Sequence, residues 1–147
     1  MIYTELTCKA MKIAYDAHHG QLDKNGVPYI FHPYHLAEQM TDELTACTAL
    51  LHDVVEDTGT SISKLEKIFP HEVTDAVKLL THDKKDDYFD YVRKISTDPI
   101  AKAVKKADLL HNSDMSRYIG DNMKNDPENL KRLEKYKKAL KLLSDNS

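Results

Sequence analysis

The chain predicts an all-α fold, a helical bundle of about seven to nine helices. Three observations carry this. Apolar residues recur at intervals of three and four through most of its 147 residues, the period of helices that bury one face. No run of polar–apolar alternation is long enough for a strand. Proline follows directly on His32, Asp98 and Asp126, at the first helical position, where its fixed φ suits the helix and its missing N–H costs nothing. The length suits one domain, able to bury about two-thirds of the surface its unfolded chain exposes. Residues 1–147 are therefore expected to form a single unit, with no internal repeat and no low-complexity segment.

Taken in order, Leu6, Ala10, Ile13, Ala14 and Ala17 space a first helix over about 3–19. Residues 20–30, holding Gly20, Gly26 and Pro28, break the pattern and read as the one substantial loop of the first half. His32-Pro33 opens the next helix. Leu44, Cys47, Leu51, Val54 and Val55 then line one stripe of a helix that continues through residue 55. Ser63 and Glu66 stand at capping-box spacing, and Phe69-Pro70 should end the helix they start. Val73, Ala76, Val77 and Leu80 continue the period, followed by Tyr88, Tyr91, Val92 and Ile95, and by Ala103, Val104, Ala107 and Leu110. The acidic and basic run 83–87 reads as a polar connection, with Lys84 and Lys85 solvated. Asp98 and Asp126 are expected N-caps. The last helix carries Leu130, Leu133, Tyr136, Leu140 and Leu143, with charges on its other faces.

Composition excludes some functions. Asp and Glu number 24 against 21 Lys and Arg, a net charge of −3, whereas a protein that grips a nucleic-acid polymer is normally basic. No segment approaches the apolar length of a membrane span, and the N-terminus lacks a signal-peptide pattern. The two cysteines, Cys8 and Cys47, have no CxxC spacing and sit in apolar helical contexts. They read as buried, reduced thiols of a cytoplasmic protein.

The chemistry concentrates in residues 50–58, where a histidine and three acids interrupt an apolar helical run. On a helix, His52/Glu56 and Asp53/Asp57 are i,i+4 pairs and Asp53/Glu56 an i,i+3 pair, so the four project from one face. Unpaired charge beside an apolar stripe is costly, and a bound cation would make the arrangement favourable. His32 and Asp108 supply a second imidazole and another carboxylate. Such a mixed nitrogen and oxygen set suits manganese, iron or zinc. Four protein ligands on an ion that prefers six leave room for water and a substrate oxygen, which is a hydrolytic arrangement.

The ordered set His32, His52-Asp53, Asp108 resembles the metal motif of the HD phosphohydrolase superfamily. The stretches GQLDKNGVPYIFHPYHLAEQM, ALLHDVVEDTGTS and KKADLLHNSD resemble the hydrolase domain of RelA/SpoT-type alarmone enzymes over roughly residues 10–115. The chain ends soon after the last motif, so no synthetase is expected and the likeness is to stand-alone small alarmone hydrolases. The resemblance implies a metal-dependent phosphohydrolase, guanosine 3′,5′-bis(diphosphate) 3′-pyrophosphohydrolase-like, acting on a small phosphorylated nucleotide. It makes His32, His52, Asp53 and Asp108 the metal ligands, with manganese the expected ion. Glu56 and Asp57 become the acid–base pair, which of them is acid and which base being open. Lys24, Thr81, Lys105 and Asn112 fall at positions near the nucleotide. His35 is not used by the family pattern and is expected behind the ligands or at the surface. His18 and His19 sit where a helix C-terminal dipole favours them.

Two positions depart from the pattern. The family has an adjacent Arg-Lys pair in the loop before PYIFHP, and here the arginine position is Asp23. After Asn112 a usually basic position is Asp114. Both changes turn positive to negative, so replacing Asp23 by arginine is expected to improve use of guanosine tetraphosphate. The alternatives are another nucleotide, or a nucleotide-cofactor phosphate, as substrate, and a non-catalytic helical module that senses a nucleotide. A sensor has no need of Glu56.

Overall fold

Thr4 starts the first helix. Its hydroxyl accepts the Thr7 N–H while the Thr7 hydroxyl accepts the Thr4 N–H, so two otherwise orphaned donors satisfy each other's residues. In the computed structural model, which describes residues 1–145, α1 then runs Glu5–Ala17. It is followed by α2 (Phe31–Glu38), α3 (Glu43–Leu51), α4 (Val54–Asp57), α5 (Ile62–Glu66) and α6 (His71–Leu80). Next come α7 (Tyr88–Ile95), α8 (Pro99–Asn112), α9 (Asp121–Lys124) and α10 (Pro127–Asp145). Taking α3 and α4 as one kinked helix gives nine among the described residues, in the all-α bundle the periodicity predicts. Among the described residues there is no strand, only an isolated antiparallel bridge between Leu22 and Pro28 that closes the first loop.

The core is built on α3. Residues 45–51 are all buried, because α1, α2, α6 and α8 pack around this helix. The expected single stripe is therefore wrong for α3: a helix surrounded on all sides is apolar all round. Its threonines are satisfied internally, the Thr48 hydroxyl donating to Leu44 O at 2.8 Å. Leu50 and Leu51, both essentially inaccessible to water, contribute roughly 1.5–3 kcal/mol each by burial.

The α3–α4 run is not continuous. α3 ends at Leu51, and Asp53, at φ −109 and ψ 1, starts α4. Other local expectations shift as well. α2 begins at Phe31, so Pro33 is third in the helix. Ser61, not Ser63, caps α5, accepting from Lys64 N at 3.2 Å. Asp98 does cap α8, accepting from Ile100 N and Ala101 N, and Asp126 accepts from Glu128 N at 2.9 Å. Cys47 is buried but Cys8 is exposed, and both are free thiols. Leu110 and Leu130 stand out in solvent rather than in the core. A 3₁₀ turn at Met115–Arg117 and helix α9 fill the stretch before α10, which no periodicity marked. No helix among the described residues is long and apolar enough to cross a membrane.

Candidate metal centre and active site

His52 closes α3, and its Nδ1 donates to Ala49 O, one turn back, at 2.6 Å. That bond fixes the tautomer and leaves Nε2 as the outward-facing atom. Nε2 lies 3.0 Å from Asp53 Oδ2 and 3.7 Å from Asp108 Oδ1, yet it is buried without a directed hydrogen bond. Burial opposes charge on this ring, but Asp53 and Asp108 outweigh it and hold the pKa well above the ordinary histidine value. The break in the helix aims Asp53 at the same point. The Tyr29 hydroxyl donates to Asp53 Oδ2 and steadies it. His32, buried on α2, places Nε2 2.9 Å from Asp108 Oδ1. Ligating atoms of His32, His52 and Asp53 lie within 4.8 Å of one another, and Asp108 on α8 stands beside that group, against both imidazoles.

This donor set fits a divalent ion. Two imidazole nitrogens face two carboxylates, one nitrogen is buried with no hydrogen bond, and each imidazole is anchored from behind. Behind His32 stands His111, a residue the sequence reading passed over although it lies one turn beyond Asp108. The two Nδ1 atoms are 2.7 Å apart. Burial, then the charge of Arg117, pushes His111 down to about 4, so it is neutral and the two Nδ1 atoms share a hydrogen bond. His35 lies tilted against His111, ring centres 4.2 Å apart, behind the candidate ligands.

Glu56 and Asp57 diverge. Glu56 faces the cleft beside the metal set, where its Oε1 accepts the backbone N–H of His82 at 2.6 Å. Asp57 turns toward Gln21; burial, with the charges of Asp53 and Glu56, raises it to about 6. Lys105 lines the cleft and is partly buried, its Nζ 2.9 Å from Asp108 Oδ2 and 5.3 Å from the Tyr91 ring centre. Its charge is spent on Asp108. Thr81 does not reach the cleft: its hydroxyl donates to Val77 O at 2.8 Å, and the wall there is Leu80 and His82. His18 is buried and hydrogen-bonded to Gln21 at 2.8 Å. Burial lowers its pKa, so a neutral ring replaces the expected dipole-stabilised cation.

Two clefts meet at Asn112 and Tyr136. The one of about 200 Å³ holds His52, Asp53, Glu56, Asp108 and the ammonium of Lys135. Lys135 sits 4.5 Å above the Tyr88 ring. The other, about 300 Å³, is walled by the 20–30 loop, including Lys24, and by Arg117 and Tyr118. Asn112 donates to Asp108 Oδ1 at 3.0 Å, at the seam between them. Tyr29, Lys135, Tyr136 and Arg117 were not identified as site residues from sequence. Tyr29 stood inside a quoted motif, whereas the α10 residues carry no local signal.

The family model for the HD domain matches residues 10–145. The chain is 36% identical over 119 residues to the bifunctional (p)ppGpp synthase/hydrolase SpoT of Escherichia coli K12, covering 71% of this chain and 17% of that protein. It is 41% identical over 80 residues to a probable guanosine-3′,5′-bis(diphosphate) 3′-pyrophosphohydrolase of Synechocystis, covering 52% of this chain and 10% of that one. The chain thus spans less than a fifth of the length of these curated relatives. A solved structure, described as a metazoan ortholog of SpoT that hydrolyzes ppGpp and plays a role in starvation responses, aligns with a TM-score of 0.73. It is 27% identical, over 99% of this chain and 87% of that one. Since that family model spans almost the whole sequence and the His and Asp cluster lies within it, the chain belongs to the HD domain family.

Proposed function

We propose that this protein is a metal-dependent pyrophosphohydrolase acting on guanosine 3′,5′-bis(diphosphate), with manganese at His32, His52, Asp53 and Asp108. The observation that carries this is the buried His52 Nε2, turned without a hydrogen bond toward two carboxylates. Relatives named for that activity support the substrate. When bound, a divalent ion supplies Lewis acidity and makes water a better nucleophile. The chain supplies the rest. Glu56, pinned by His82 N–H, is in the cleft to take a proton from the attacking water or to return one to the departing 3′-oxygen. Asp57, expected as its partner acid, turns toward Gln21 and does not line the cleft, so Glu56 carries both proton transfers. Water adds to the phosphorus bonded to O3′, the P–O3′ bond breaks, pyrophosphate leaves and the 3′-hydroxyl gains a proton. Lys135 faces the phosphoryl groups from α10, and Asn112 lies between the phosphate and base ends of the nucleotide. We place the protein in the cytoplasm, where the thiols of Cys8 and Cys47 stay reduced.

The electrostatic objection raised by Asp23 and Asp114 is reduced by where the fold puts them. Asp114 Oδ1 accepts from Ser116 N and Oγ, starting the 3₁₀ turn, and Asp23 is paired with Arg117 at 3.3 Å. Asp23 is thus answered by a cation, while Asp114 keeps its charge but lines neither cleft. The test is pyrophosphate release from guanosine tetraphosphate with manganese, beside a panel of other phosphorylated nucleotides. Release is expected, with Asp53→Asn inactive and Glu56→Gln slowed on the order of a hundredfold while still binding metal. Activity on a different nucleotide alone would move the substrate, and metal binding with no hydrolysis of any nucleotide would make this a sensor.

A further inference from the structure

The sequence treats Asp23 as a lost cation, but the fold restores one from 94 residues away. Asp23 Oδ1 accepts from Asn25 N at 2.8 Å and Val27 N at 3.0 Å, holding the tip of the 20–30 loop. Its Oδ2 holds Arg117 Nη2 at 3.3 Å, and Arg117 Nη1 donates to His111 O, at the end of α8, at 2.8 Å. The guanidinium is thereby fixed as a plate in the wall of the larger cleft. It has five N–H donors, and those not aimed at Asp23 and His111 remain for a ligand.

We propose that Arg117, held flat by Asp23, reads the purine base of the bound nucleotide. This rests on the hydrolase reading above and extends it to specificity. The smaller cleft holds the candidate ligands, Glu56 and Lys135, and is the end suited to phosphoryl groups. The larger one is lined by the rings of Tyr29, Tyr118 and Tyr136 beside Arg117, a surface for a flat heterocycle. A guanidinium already paired with a carboxylate is a weak site for phosphate, since most of its charge is answered. It remains a good site for a base, because its planar face stacks on aromatic rings and its edge donors match the O6 and N7 acceptors of guanine. Lys24 lies in the same cleft and has no carboxylate partner among the described residues, so it is free to meet the ribose or the 5′-phosphates.

The experiment measures affinity by calorimetry in the full-length Glu56→Gln protein with manganese, for guanosine tetraphosphate and for inorganic pyrophosphate. Arg117→Ala should weaken guanosine tetraphosphate on the order of tenfold and leave pyrophosphate within about twofold. Arg117→Lys, which keeps the charge and can still reach Asp23, should recover little of that loss. Asp23→Arg alone should also weaken the nucleotide, since two guanidiniums would then face each other and the loop would lose its clamp. That reverses the gain expected from the sequence. Arg117→Lys binding like the parent would make Arg117 a tether and overturn the proposal. Equal losses for nucleotide and pyrophosphate would overturn it too, as would no binding of guanosine tetraphosphate at all. If the nucleotide binds with this Arg117 dependence but the unsubstituted protein releases no pyrophosphate, the hydrolase reading fails and the base reading stands. Melting temperatures within a few degrees of the parent confirm that each variant is folded.

Discussion

At His52 the Nδ1–H is spent on the Ala49 carbonyl, so only Nε2 is left to face Asp53 and Asp108. The same economy governs the other groups here. Asp108 uses Oδ2 on Lys105 and turns Oδ1 toward His32 and Asn112. Asp53→Asn or Asp108→Asn should therefore abolish metal binding in equilibrium dialysis while far-UV helicity stays near that of the parent, because each removes a charged donor from the candidate ligand cluster. Asp108→Asn carries an added cost, since it leaves the partly buried Lys105 ammonium without its counter-charge. Asp57 makes a separate prediction. An acid whose pKa rises on folding, here from 3.8 to about 6, binds more protons folded than unfolded, so it lowers stability as pH climbs through that window. Asp57→Asn should raise the melting temperature of the metal-free protein at pH 7. The gain should shrink as pH falls from 6 toward 4, and a constant difference across that range would assign it to something other than this proton. These residue identities were all legible in the sequence. Their hydrogen-bond assignments were not, because those depend on which atom of each side chain meets its neighbour.

Each helix brings one part of the site, and its caps decide where that part sits. α8 presents Lys105, Asp108, His111 and Asn112 on one face over two turns, and Asp98 fixes its start by accepting two backbone N–H groups. Asp98→Ala should cost about 1 kcal/mol in chemical denaturation. A loss near zero would mean that packing of α8 against α3, α6 and α10 holds the helix without its cap. The α3–α4 break was the main misreading at this scale. Continuous helical spacing would keep His52, Asp53, Glu56 and Asp57 on one face. Ending α3 at Leu51 and starting α4 at Asp53 instead sends Glu56 to the cleft and Asp57 to Gln21. Apolar spacing cannot register such a break, because Leu51 and Val54 are buried on either side of it.

The molecule as a whole wraps its site around one buried helix. α3 supplies His52 and is packed by the helices that carry His32 and Asp108, so the candidate ligand cluster and the core share the same scaffold. Leu51→Ala should cost 2–5 kcal/mol, within the range for a buried leucine that leaves a cavity, and should weaken metal binding as well if His52 shifts with the helix end. Unchanged metal affinity with the full stability loss would show that the Ala49 bond alone holds the ring. α10 closes the opposite side. Tyr136→Ala should raise the KM for the nucleotide more than it lowers kcat, since Tyr136 borders both clefts at the seam between them; a change confined to kcat would place it in the chemistry instead.

The sequence by itself determined the helical class, the residue types of the candidate ligand cluster and their order along the chain, and the caps at Asp98 and Asp126. Each of these is written in spacings of a few residues, where local geometry is fixed by the backbone period. Tertiary structure alone decided that His111 backs His32 across 79 residues and that Asp23 meets Arg117 across 94. It also decided that α10 lends Lys135 and Tyr136 to the cleft. Those partners share no local period. They are joined only by the packing of helices around α3, so the meaning of Asp23 reversed once the fold showed the cation beside it.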